Sequence, residues 1–247
     1  MSPELIAVGF FTILVTGWMS ALSLLFISAP YGRHDRPGYG PSVPQRLAWV
    51  LMEAPSLLCF CGALVAAGGP RGALGWSLAA LWIVHYGHRT LVYPWLIRPR
   101  PGAGMKALLV LMAVFFNVLN GVLNGHGVAS IEGGPGGLAW AGLALAVLGF
   151  GVNLHSDAIL RGLRPPGATG YVIPTGGLYR WVSCPNYFGE LLEWTGFALA
   201  AGTPFAWGFV FFTAANLIPR ALTTHGWYRE RFPDYPVNRR AVLPGIL

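Results

Sequence analysis

The sequence predicts an all-α integral membrane bundle of seven transmembrane helices, with the N-terminus outside and the C-terminus cytosolic. Three observations predict it. First, of 247 residues 54% are hydrophobic and 10% charged, where a soluble domain carries about 25% charge; mean hydropathy is +0.55. Second, seven stretches approach or exceed the roughly 20 apolar residues that cross a bilayer. Third, basic residues gather in alternate loops. Arg33, Arg36 and Arg46 follow the first stretch, Arg98, Arg100 and Lys106 the third, and Arg161, Arg164 and Arg180 the fifth. Arg220, Arg229, Arg231, Arg239 and Arg240 lie at or beyond the end of the seventh, whereas Arg71 stands alone in the opposite set of loops. Positive charge marks the cytosolic side, and an odd number of crossings is required.

In chain order the spans are Leu5–Ile27, Leu47–Ala67, Ala73–Ile97, Ala107–Asn124, Leu138–Leu160, Tyr187–Ala201 and Phe205–Leu222. The first is too long for a signal-peptide core and is preceded by Met1-Ser2-Pro3-Glu4, without a basic region, so a retained helix is expected. The sixth is short and polar on one side. Ten Trp, nine Tyr and 34 Gly suit interfacial aromatic belts and close helix packing. Cys59, Cys61 and Cys184 form neither a CxxC nor a paired framework and are expected to be packing residues. One domain is expected, with elaborated cytosolic loops at Ser28–Arg46, Arg98–Lys106 and Arg161–Asn186 and a tail from about Thr223. These basic loops suit either lipid headgroups or a cap that recognises a polyanion.

Ionisable side chains inside apolar spans carry the functional signal. Glu53, Arg89, Asp157, Glu190 and Glu193 lie on four of the spans. A charge at membrane depth costs roughly 3 kcal/mol on insertion scales and persists only beside a partner or a wet cavity. Asn153, Asp157 and Arg161 follow at i, i+4 and i+8, with Arg164 three residues on, so they share one helical face. Asn186, Glu190 and Glu193 make a second stripe; Arg220, Thr224 and Tyr228 make a third. The stripes suit interhelical hydrogen bonding or a cavity for a large polar ligand.

Glu53 lies about 10 Å inside Arg46, and Tyr86 about 18 Å from Arg98, at 1.5 Å per helical residue. A buried carboxyl that holds its proton, with a phenol, can stabilise a developing enolate. A structural Glu–Arg or Glu–His pair with Arg89, His85 or His88 is the alternative. No Walker loop is present, and Gly149-Phe150-Gly151-Val152-Asn153-Leu154 lacks the third glycine of a dinucleotide fingerprint. His85 and His88 have no further ligand at metal spacing, so no metal is expected. Asn120 and Asn124 read as cavity-lining or helix-bridging.

Longer motifs carry a family resemblance. Asn153-Leu154-His155-Ser156-Asp157, Leu160-Arg161, Leu163-Arg164, Pro166-Gly167 and Tyr171 resemble the C-terminal region of steroid 5α-reductases. So do Ile173-Pro174, Gly176-Gly177-Leu178, Val182-Ser183, Asn186, Gly189-Glu190, Glu193-Trp194, Tyr228, Phe232, Asp234-Tyr235-Pro236, Arg239 and Leu243-Pro244. Upstream, Glu53-Ala54-Pro55-Ser56 and His85-Tyr86-Gly87-His88-Arg89-Thr90 with Tyr93 match the same family, and the chain is similar to its bacterial members. The resemblance implies NADPH-dependent reduction of the Δ4 double bond of a 3-oxo steroid, by hydride transfer to C5, at a bacterial inner membrane. It implies that Glu53 and Tyr86 hold the C3 carbonyl, in a steroid pocket drawn mainly from residues 1–125. It places Asn153, Asp157, Arg164, Tyr171, Asn186, Glu190, Arg220 and Tyr228 in the cofactor site, drawn mainly from 150–247 and the cytosolic loops. Arg98 and Arg100 are further candidates for the 2′-phosphate. Implied partners are a steroid or other lipid enone and membrane lipid, with no nucleic acid and no obligate protein partner. Met52 stands where mammalian members often carry Gln, Thr223-Thr224-His225 replaces a His-rich run, and Val172 replaces a basic residue of some relatives. A related sterol double-bond reductase and an S-adenosylmethionine-dependent membrane methyltransferase are the alternatives.

Overall fold

Apolar side chains line the outside of the molecule as well as its core, and a set of polar side chains is buried among them. The computed structural model describes residues 2–99, 102–132, 134, 136–163 and 170–247. Phe11, Val15, Trp18, Leu58, Leu111 and Leu148 are exposed, whereas Asn120, Asn124, Asn153, Asp157 and Glu193 are buried. Such a surface is stable in hydrocarbon, and its buried polar groups must satisfy one another.

The long helices are α1 (Pro3–Phe26), α2 (Gln45–Ala66), α3 (Gly72–Gly87), α5 (Ala107–Ala129), α6 (Gly137–Gly162), α7 (Pro185–Ala201) and α8 (Pro204–Arg231), with a short α4 (Tyr93–Leu96). α1, α2, α5, α6 and α8 are long and apolar enough to cross a membrane. α3 and α7, at 16 and 17 residues, are shorter than a full crossing. α3 continues, however, through a π turn at His88–Val92 into α4. Pro94 accounts for the turn: it has no N–H, and its ring crowds the Thr90 carbonyl, so the ladder slips by one residue.

The structure departs from the expected elements in several places, and α5 runs past Asn124 to Ala129. α8 runs past Leu222 to Arg231, so the segment from Thr223 is helix rather than tail, and it buries Tyr228. The helical bundle also carries a small antiparallel ribbon, β1 (Ser42–Pro44) with β2 (Gly104–Lys106), in register Ser42 to Lys106. This ribbon ties the segment after α1 to the segment after α4. The true tail is held by Ser183 N–H to the Arg240 carbonyl (2.8 Å) and Cys184 N–H to the Ala241 carbonyl (3.0 Å). Burial there pushes the Cys184 thiol up to about 12, an inert packing residue.

Two helix pairs set the geometry of the interior. α6 and α7 pack backbone to backbone: a methyl at Gly149 would run into the backbone of Glu193 and Gly189, and one at Gly189 into that of Asn153. Glycine there lets the helices approach closely enough for side-chain amides to reach across. Gly149→Ala is expected to cost about 1–3 kcal/mol by overpacking, read as a lower midpoint of thermal unfolding in detergent. α5 approaches α2 in the same way, with Gly121 against the Ser56 carbonyl and Gly125 against that of Phe60. Trp82 of α3, fully buried, stacks on Phe60 and meets Tyr86, Trp194, Phe197 and Phe209. That aromatic cluster fixes the depth at which α3 presents His85, Tyr86 and Arg89.

Candidate active site

Arg89, in the π turn, is the hub. Its guanidinium lies 3.6 Å from Glu53 Oε1 on α2, 3.6 Å from Asp157 Oδ2 on α6 and 3.8 Å from Glu190 Oε1 on α7. The faces of Trp49 and Tyr93 flank it at 4.4 and 4.7 Å. Asn186 donates to Asp157 Oδ1 (3.1 Å), and Asn153 donates to the Asn186 carbonyl (3.0 Å). The polar stripes of α6 and α7 therefore meet, and five residues expected from spacing or resemblance share one constellation: Glu53, Asn153, Asp157, Asn186 and Glu190. The Glu–Arg pair held open as an alternative for Glu53 is present. One cation against three carboxylates leaves acceptor oxygens in excess, a setting for ligand hydroxyls and amides that donate hydrogen bonds.

Tyr86, one turn back from Arg89, is 4% exposed, and the Glu53 side chain 13%. Neither faces lipid, and the Tyr86 hydroxyl lies within the field of Glu53, Glu190 and Glu193. The Tyr86 ring stacks near Trp194, with the His85 imidazole edge-on at 4.9 Å. His85 Nδ1 meets Glu193 Oε1 at 2.8 Å, both buried. Asn120 Nδ2 donates to the Tyr86 hydroxyl at 3.4 Å.

Beyond this constellation lies a cavity of about 200 Å³, lined by Arg33, Arg98, Arg161, Asp157, Tyr93, Tyr171 and Tyr228 among others. The segments that follow α1, α4 and α6 meet there. Arg33 is sandwiched by rings, 5.3 Å from Tyr171 and 4.7 Å from both Trp227 and Tyr228. Burial, then the charges of Arg33 and Arg36, hold the neighbouring His34 imidazole below its usual range. Arg220 stands apart, donating to Asn216 Oδ1 (2.7 Å) and the Tyr187 hydroxyl (3.1 Å), with Tyr31 and Tyr187 rings on its faces. Buried N–H groups of Arg33, Arg161 and Arg220 have no hydrogen-bond partner among the described residues. Arg100 and Arg164, expected to contribute here, lie outside the described residues. Arg33 and Tyr93 were not among the expected site residues. Arg33 belongs to a loop whose basic character was visible, but ring stacking from α8 and the 170s follows no spacing.

Fold and site together define a membrane-type helical bundle with a carboxyl and a phenol, Glu53 and Tyr86, buried in its interior and a basic, aromatic mouth. A family model described as 3-oxo-5-alpha-steroid 4-dehydrogenase matches residues 103–247. The chain is 42% identical over 239 residues to a steroid 5-alpha-reductase DET2 of Gossypium hirsutum, covering 91% of each. It is 41% identical over 221 residues to the human 3-oxo-5-alpha-steroid 4-dehydrogenase 1, covering 87% of this chain and 85% of that one. To the human 3-oxo-5-alpha-steroid 4-dehydrogenase 2 it is 40% identical over 238 residues, covering 90% of each. The chain belongs to this family of steroid 5α-reductases, and it is an oxidoreductase.

Proposed function

We propose that this protein uses NADPH to saturate the Δ4 double bond of a 3-oxo steroid, giving the 5α-reduced ketone. The observation that carries the reading is the burial of Tyr86 and Glu53 beside the Arg89 hub, directly inside a mouth lined by Arg33, Arg98 and Arg161. The donor set fits a dinucleotide phosphate. Guanidinium N–H groups on Arg33, Arg161 and Arg220 are buried without partners among the described residues, and phosphate oxygens are their natural acceptors. Tyr171, Trp227 and Tyr228 offer rings to a base, while Asp157 and Glu190 suit ribose hydroxyls or a carboxamide.

Bound NADPH supplies the hydride that C5 of the steroid receives. The C4–C5 π electrons then move toward the C3 ketone, whose oxygen becomes an enolate. Tyr86 donates its hydroxyl proton in a hydrogen bond to that oxygen, and the Glu53 carboxyl, when it carries a proton, is the second donor. Collapse of the enolate with a proton taken at C4 from a water molecule completes the saturated ketone. The apolar walls around Tyr86 keep bulk water out and strengthen both contacts.

The same cavity supports seven crossings with the C-terminus cytosolic. The segments after α1, α4 and α6 meet at one mouth when α2 with α3–α4, and α5 with α6, each go out across the layer and back, and α7 returns the chain for α8. The basic content of those segments puts the mouth in the cytosol, where the reduced cofactor is available.

Purified protein with NADPH and a panel of 3-oxo-Δ4 steroids tests the reading by mass spectrometry of the products. Gain of two hydrogens is expected, with deuterium from the labelled reductant at C5. Loss of an isolated side-chain or ring double bond, with the enone untouched, would instead favour a sterol reductase acting elsewhere on the ring system. Absence of any reduced product would reject the proposal.

A further inference from the structure

Three asparagines of α5 at i, i+3 and i+7 do more than bridge helices. Asn117 donates to the Met52 carbonyl at 2.6 Å, Asn120 to the Tyr86 hydroxyl at 3.4 Å, and Asn124 to Asn120. All three are buried. Glycines 121 and 125 press this face of α5 onto the α2 backbone, so the ladder cannot drift away from the residues it touches. Met52 adjoins Glu53, so the asparagines touch Tyr86 directly and the α2 backbone one residue before Glu53.

The chemistry of the ladder has a direction. Asn124 Nδ2 meets two acceptors, the Asn120 backbone carbonyl at 3.1 Å and Asn120 Oδ1 at 2.9 Å. A backbone carbonyl only accepts, so the Asn124 atom there is the amide nitrogen. The Asn120 atom it also meets is therefore the oxygen, which leaves Asn120 presenting its own nitrogen to Tyr86. The Tyr86 oxygen must then accept from Asn120, and its single proton is turned away from α5. The Ser56 hydroxyl lies beside the phenol and can donate to the same oxygen, which likewise leaves the Tyr86 proton pointing elsewhere.

We infer that Asn124 and Asn120 form a positioning relay that locks the Tyr86 hydroxyl as a donor toward the substrate carbonyl. The relay rests on the ketone-binding role proposed for Tyr86 above. Asn120 touches no reacting atom; it acts through Tyr86 by removing the orientation in which the phenol would spend its proton on the protein. Asn120→Asp reverses the polarity at almost unchanged size, because a carboxylate there accepts the Tyr86 proton.

A double-mutant cycle tests this, with Tyr86→Phe, Asn120→Asp and the two combined, each assayed for steroid turnover and for NADPH-dependent thermal stabilisation. Asn120→Asp is expected to lower kcat roughly tenfold or more, as loss of an aligned donor to a developing oxyanion does, with the NADPH-induced stabilisation intact. Combined with Tyr86→Phe it is expected to add no further loss, since the hydroxyl it orients is already gone. Asn120→Gln is the check on folding: it retains the donor, and recovery of part of the turnover lost in Asn120→Asp is expected. Fully additive losses in the cycle, or an Asn120→Asp enzyme with wild-type kcat, would overturn the relay. Wild-type turnover in Tyr86→Phe alone would instead overturn the ketone-binding role on which it rests.

Discussion

Glu53→Gln is expected to lower steroid turnover by on the order of 10²-fold or more, the cost of losing one aligned group at a developing oxyanion, while NADPH binding is little changed. The substitution is close to isosteric and keeps a polar group at the end of the side chain. It also leaves Arg89 with Asp157 at 3.6 Å and Glu190 at 3.8 Å, so the guanidinium stays compensated and the bundle should remain folded. What is lost is the carboxyl proposed to grip the ketone oxygen. Glu53 is the member of the cluster contributed by α2, the helix that α5 ties through Asn117 and Met52 to the same asparagine ladder that orients Tyr86. Single-turnover rates with saturating NADPH, alongside an NADPH titration by thermal shift, separate chemistry from cofactor binding. Near-normal turnover in Glu53→Gln would remove Glu53 from the chemistry and leave it as the structural partner of Arg89.

The spans were legible because lipid is a demanding solvent: a helix surface that faces it must be apolar along its whole length, and such runs stand out in any window. The same criterion misplaces helix ends that leave the membrane. α8 continues to Arg231 because Tyr228 still has a buried face to pack, although Arg229, Glu230 and Arg231 end the apolar run. The β1–β2 ribbon is three residues a side, too short for an alternating pattern. Within the site, spacing found what lies on one helix: Asn153 with Asp157, and Asn186 with Glu190. It left Glu53 divided between ketone chemistry and a pair with Arg89, since the partners of Arg89 come from α2, α6 and α7 and no periodicity within α3 reports on them. Spacing also put Arg220 and Tyr228 on one stripe, and resemblance added Tyr171; Tyr171 and Tyr228 line the cavity, whereas Arg220 stands outside its lining with Tyr187. Asn120 and Asn124 were readable as a helix-bridging pair, but the direction of their hydrogen bonds required coordinates.

Arg89→Met is expected to be the most damaging single change to the fold. It preserves the length and the apolar stem between Trp49 and Tyr93, yet deletes the one cation within 4 Å of Glu53, Asp157 and Glu190 among the described residues. Removing one partner of a buried ion pair typically costs about 3–5 kcal/mol, because the charge left behind has neither water nor counter-ion. Here three carboxylates on three helices lose the same partner at once, so the penalty falls on the junction of α2, α3, α6 and α7 together. A lower yield of folded protein and an earlier thermal transition in detergent are expected. Arg89→Lys should recover only part of the loss. An ammonium is a compact point charge on a flexible stem and lacks the planar fork that faces several oxygens in fixed directions. The combination Arg89→Met with Glu53→Gln should be more stable than Arg89→Met alone, since it removes one of the orphaned charges, although it would not recover turnover. If Arg89→Met unfolds within about 1 kcal/mol of the wild type, well under the cost of an uncompensated buried charge, then the carboxylates find protons or other partners. The guanidinium would then serve the ligand rather than the bundle.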